Sequence, residues 1–130
     1  SETNEDYKVV NHKSIAYNPS RANTGSISIN LTKNKVSVSK MYVTFKITDN
    51  NFLPEYVYLC LKSKESIQNI RDRSFGSVRQ SLRFDDLCTI PIPNIPIHKQ
   101  KRLVKNVYSK YKKYKKQKKE LDEFDITNQL

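Results

Sequence analysis

Residues 25–61 read GSISINLTKNKVSVSKMYVTFKITDNNFLPEYVYLCL, and inside this stretch the hydrophobic period changes from two to nearly four. In the first part Ile27, Ile29 and Leu31 alternate with Ser28 and Asn30. Met41, Val43, Phe45 and Ile47 alternate in the same way with Tyr42, Thr44 and Lys46. Such alternation sends one set of side chains to each face of a pleated strand. From Asp49 the pattern becomes helical. Asp49 or Asn50 can cap, Pro54 fits an early helical position, and Tyr56, Val57, Leu59, Cys60 and Leu61 form an apolar stripe. The switch predicts a mixed α/β (α+β) domain: a twisted, mostly antiparallel sheet with short helices.

Working outward, residues 7–10 and 14–17 join 25–31, 35–39 and 41–47 as short β-rich segments, separated by polar turns at 18–24 and 32–34. Downstream, residues 64–73 repeat Ile67 and Ile70 at helical spacing. A polar loop follows, then one helical turn at 85–87 and a short strand at 88–92. Pro91, Pro93 and Pro96 exclude a regular helix before Ile97. From 97 to about 124 neither Gly nor Pro occurs, which predicts a single helix of about 28 residues, roughly 42 Å long. With Ile97 at heptad position a, the a sites are Ile97, Val104, Tyr111 and Lys118, and the d sites Gln100, Val107, Tyr114 and Leu121. This coiled-coil-type seam, imperfect at Gln100 and Lys118, invites a partner helix; the alternative is a helix lying across its own domain. The expected organisation is a domain over 1–96, a spacer or dimerisation helix over 97–124, and a frayed tail over 125–130.

The chain has 130 residues, enough for one real core. No apolar run approaches the ~20 residues of a membrane span, and SETNEDYK at the start lacks the regions of a signal peptide, so a soluble cytoplasmic protein is expected. Cys60 and Cys88 sit in apolar contexts and read as reduced core residues, with a disulfide between them as the lesser alternative. Lys and Arg number 24 against 13 acids, a net charge of +11. Residues 99–119 hold eleven basic residues and no acid. Such a surface concentrates polyanions, nucleic acid first, with an acidic protein or a merely solvated helix face as alternatives. Catalytic and cofactor signatures are missing. Gly25 and Gly76 cannot build a phosphate-binding glycine loop, and Cys60, Cys88, His12 and His98 have no metal-site spacing. The pair Asp85 and Asp86 reads as a helix start rather than a metal site. No enzyme activity, cofactor or metal is therefore expected.

Two polar loops remain. The first, residues 17–26, reads YNPSRANTGS, and the second, residues 75–84, reads FGSVRQSLRF. Both concentrate Arg, Asn, Gln and Ser, the side chains that read base edges, and each carries one glycine that lets backbone approach a phosphate. Alternatively, Asn18, Ser20, Ser77 and Ser81 only satisfy turn backbones.

The order IAYNPSRANTGSI, then FGSVRQSLRFDDL, then IPIPNIPIHKQKRLV resembles the specificity subunits of type I restriction-modification systems over roughly residues 14–124. The proline-punctuated exit leading into Gln-Lys at the head of a long helix is the most specific part. The resemblance implies a target-recognition domain whose loops contact double-stranded DNA, followed by a helix that packs antiparallel against an equivalent one. The partners it implies are an adenine-methylating modification subunit and, in some systems, a motor-nuclease subunit. A full subunit carries two such domains. Here there is one helix and one domain without its usual opening, so part of a larger subunit, or a homodimer of half-length chains, is expected. Under this resemblance Asn18, Ser20, Arg21 and Asn23 in loop one, and Ser77, Arg79, Gln80 and Arg83 in loop two, lie near DNA. Arg21 and Arg79 are the first choices, with Arg79 and Gln80 weighted toward loop architecture or phosphate. Lys33 and Lys35, in a loop expected to vary, are candidates for base choice. Ile97, Val104, Val107, Tyr111, Tyr114 and Leu121 would face the partner helix, leaving Lys112, Lys113, Lys115, Lys116 and Lys119 for phosphates or an acidic subunit. A sequence-tolerant RNA-binding or ribosome-associated protein, and a pure helix-pairing assembly module, are the alternatives.

Overall fold

The computed structural model describes residues 6–74 and 81–129, with side chains described through Glu120. Five short strands form two antiparallel sheets rather than the single sheet expected. β1 (Tyr7–Val10) pairs with β4 (Val36–Ser39) as a two-stranded ribbon, while β2 (Ile15–Tyr17) lies between β3 (Ile27–Ile29) and β5 (Val43–Phe45). In the three-stranded sheet Ile15 stands opposite Ile29 and Phe45, and Tyr17 opposite Ile27 and Val43, so large apolar side chains meet across the centre. All three residues of β2 are buried.

The sheet divides at Asn30. The alternation read through Leu31 stops at Ile29, because Asn30 turns inward and Leu31 outward. The Asn30 side chain donates to the carbonyls of Val10 (2.9 Å) and Asn34 (2.8 Å), and accepts from the amide and hydroxyl of Thr32 (2.9 and 2.7 Å). A buried amide costs little when all its hydrogen bonds are made. Here it fastens the ribbon to the sheet. Met41 leaves the expected face as well: it sits in the turn between β4 and β5 and is exposed, while Val43, Phe45 and Ile47 pack on the core.

Helix α1 (Pro54–Leu61) starts with Pro54, but its cap is not Asp49. Leu53, extended, precedes it without a side-chain cap bond, and Asp49 instead accepts from the Asn51 amide in the preceding turn. Helix α2 (Lys64–Ser74) is capped by Ser63, whose hydroxyl accepts from the Ser66 amide. A single turn, α3 (Phe84–Leu87), follows. Residues 88–92 are not a strand. The amides of Thr89 and Ile90 turn back to Asp86 and Leu87, and Pro91 has no amide to offer a sheet. Ile15, Tyr17, Ile27, Val57, Leu61, Ile70, Leu82, Leu87 and Ile90 meet in one core. Both cysteines are free, but only Cys60 is half-buried; Cys88, expected in the core, is exposed where the chain leaves α3.

Helix α4 (Ile97–Gln129) spans 33 residues, about 50 Å. Its backbone stays helical through the stretch expected to fray, where neither Gly nor Pro interrupts it. The expected imperfection at Gln100 is the helix's anchor. Gln100 is fully buried, accepts from the Leu53 amide (2.9 Å), and donates to the carbonyls of Asn51 (2.8 Å) and Ile95 (2.9 Å). Val104 is buried against the same domain, and α4 packs on α1. Among the described residues, no helix is long and apolar enough to cross a membrane.

Candidate nucleic-acid interface

Loop one is built from its backbone outward. Asn18 accepts the Ser20 amide on its side chain and the Arg21 amide on its carbonyl, the local bonding that makes Asn a turn former. The Arg21 carbonyl then accepts from the Thr24 amide, the Thr24 hydroxyl and the Ser26 amide. A 3-10 turn at Ala22–Thr24 drops Ala22 into the core, and Gly25 reverses the chain at φ +86°, a left-handed conformation that glycine adopts without penalty. Asn18 and Ala22 thus serve the loop itself, while Ser20 and Arg21 project as exposed side chains.

The far end of loop two is tied to this tip. The Leu82 amide donates to the Pro19 carbonyl at 3.0 Å, and the Tyr17 hydroxyl donates to the Leu82 carbonyl at 3.1 Å. Burial pushes the Tyr17 phenol up to about 12, with Cys88 and Asp86 adding to the effect, so it stays a neutral donor. Ser77, Arg79 and Gln80 lie outside the described residues. Arg83 is exposed, 3.9 Å from Asp85, an ion pair of the kind that contributes little in water. Two segments more than sixty positions apart, 18–21 and 81–83, therefore share one edge of the domain.

Lys33 and Lys35 do not join them. They are exposed in the connection that leaves β3 at the end opposite loop one. Asn30 and the His12 ring, which donates to the Thr32 carbonyl (2.7 Å), hold that connection.

Two other cations, Lys62 and Arg71, which the sequence did not single out, stand beside loop one. Lys62 donates to the carbonyls of Gly25 and Ile27, and Arg71 Nε to the Asn23 carbonyl (3.2 Å). Arg73 reaches the Asn69 carbonyl and side chain, and Thr89. The partners are carbonyl, amide and hydroxyl oxygens, and the ion pairs among the described residues are Lys13–Glu55 and Arg83–Asp85. Polar groups of these kinds fix the side chains without cancelling their charge. The only hint in the sequence was that Arg71 and Arg73 close α2.

On α4, Ile97 and Val104 face the domain, whereas Val107, Tyr111 and Tyr114 are exposed; the Leu121 side chain lies outside the described residues. Leu103 extends the exposed row, so Leu103, Val107, Tyr111 and Tyr114 make an apolar stripe, with Lys115 5.1 Å over the Tyr111 ring. Among the described residues no group of three or more His, Cys, Asp or Glu could hold a metal ion. No family model, no curated protein and no solved structure matches this chain.

Proposed function

We propose that this chain recognises double-stranded DNA as part of a specificity subunit of a type I restriction-modification system. It would direct an adenine methyltransferase, and its endonuclease, to their target without catalysing a step itself. The observation that carries this function is the joining of loop one to residues 81–83 through Pro19 and Leu82, which gathers Ser20, Arg21 and Arg83 at one exposed edge. Arg and Ser side chains held out on a braced turn suit groove edges and phosphates. The exposed stripe on α4 supports a helix-pairing role for the same chain, with the lysines around it left to phosphates or an acidic subunit.

Mobility-shift titration of the complex assembled with the modification subunit tests this function. Arg21→Ala and Arg79→Ala are each expected to weaken target binding. A contact to guanine would cost about 1–3 kcal/mol at one base position, and a phosphate contact would weaken all sequences alike. Unchanged affinity and target choice in both variants would reject it. The pure assembly module is the second reading, favoured by the same α4 stripe. It predicts self-association of the chain, lost in Val107→Asp and Tyr114→Asp, with no DNA binding at all.

A further inference from the structure

We infer that Lys62 and Arg71, together with Arg21, form a phosphate-contacting surface that seats loop one against the backbone of a DNA duplex. This rests on the DNA-recognition function proposed above and adds two residues from the helices that the loop sequence does not contain.

The geometry is specific. Lys62 follows the last residue of α1 and Arg71 lies in the last turn of α2, and both reach sideways to the same ten-residue loop. Their acceptors, the carbonyls of Gly25, Ile27 and Asn23, cluster around the left-handed residue that closes the loop. Arg71 commits Nε in this way and keeps its other guanidinium donors; an arginine has five in all. Both residues are exposed, and neither has a carboxylate within ion-pair distance among the described residues. An Arg or Lys paired with a carboxylate offers an anion little net charge. One pinned by carbonyls is oriented yet still fully cationic, so less side-chain freedom is lost on binding. With Arg21 exposed on the same loop, three positive charges surround a few residues of backbone. Duplex DNA, with one negative charge per ~1.7 Å of axis, is the ligand class whose charge density such a cluster fits. Phosphate contacts fix register and carry no sequence information, which leaves base reading to the polar side chains of the tip.

The test is a salt titration of the full chain on a random-sequence DNA duplex, followed by fluorescence anisotropy. Lys62→Gln and Arg71→Gln are each expected to weaken binding about threefold to tenfold for every sequence. Each should also make the slope of log affinity against log salt shallower by about 1. Arg71→Lys, which keeps the charge, should retain the wild-type slope, separating lost charge from a loosened loop. Lys40→Gln, on the β1–β4 ribbon, should leave the slope unaltered. Wild-type slopes in both Gln variants would overturn the inference, as would an equal loss in Lys40→Gln. An RNA duplex competing at parity with DNA would overturn it too. If Arg21→Ala still weakens target binding in the assembled complex while the helix variants are silent, only this inference falls. If the wild-type chain and complex ignore DNA, both fall.

Discussion

Residues 97–104 of α4 belong to the domain, with Gln100 and Val104 buried and Ile97 half-buried, whereas residues 109–120 are exposed at every position. One helix thus has a root and a shaft. At about 100° per residue, positions 97, 100, 104 and 108 centre on one face, and 103, 107, 111 and 114 on another, about a quarter turn away. The root is held by hydrogen bonds and packing to its own chain. The shaft has no buried residue to hold it, and its helix persists against the mutual repulsion of seven basic residues in 109–120. A single heptad frame merges these two faces, and so assigned Val104 and Val107 to one seam although one is buried at home and the other is not.

The sharpest break in this contrast comes from Gln100→Leu. It would leave the Leu53 amide and the carbonyls of Asn51 and Ile95 without their partners in a closed site, and should destabilise the protein by about 3 kcal/mol. Urea denaturation checks it; a loss below about 1 kcal/mol would mean that the root is not anchored there. Alkaline pH probes the same end. Burial pushes both Tyr56, whose hydroxyl donates to the Pro93 carbonyl just before α4, and Tyr17 up to about 12 from an ordinary 10. The folded state therefore holds its phenolic protons after the unfolded chain has released them. Stability should be intact below pH 10 and fall as pH rises through 12. The urea midpoint followed from pH 9 to 12 should show that decline, and Tyr56→Phe should flatten it.

The sequence made the elements legible where local signals agree: period-two runs for the strands, Pro54 for the start of α1, and the absence of Gly and Pro for α4. It did not reveal what depends on distant partners. Gln100 looked like a flaw because a polar residue at a d site is a flaw only if a helix must cover it; its acceptors and donor lie up to 49 positions away. Asn30 looked like an outward polar residue, although its side chain joins the ribbon to the sheet. Loop one was legible as a turn, and its edge beside residues 81–83 follows from the Pro19–Leu82 bond, which has no residue-type signature. Lys62 and Arg71 escaped notice for the same reason: any carbonyl can accept a cation, so nothing in the acceptor's identity marks the pairing.

A smaller effect is expected from Val104→Ala. Removing two methyl groups from the α1–α4 contact should cost about 1–2 kcal/mol, less than the Gln100 effect, read by the same urea titration. A loss as large as that of Gln100→Leu would mean that packing, rather than the amide's hydrogen bonds, fixes the root.

The smallest stability effect belongs to the shaft. Tyr114 is exposed and lies more than two turns beyond the last buried residue of α4. Tyr114→Asp in the monomer should change stability by less than about 0.5 kcal/mol, the usual range for surface sites. Association is where it should matter. A carboxylate at the outer end of the Leu103–Tyr114 stripe would have to be buried by a covering helix, and burying an unpaired charge is prohibitive. Sedimentation at rising protein concentration, with urea denaturation at the lowest, separates the two effects. Tyr114→Asp should abolish self-association while leaving the urea midpoint in place. Unaltered association would show that the shaft pairs through another face or through none, and a lowered midpoint would extend the root beyond residue 108.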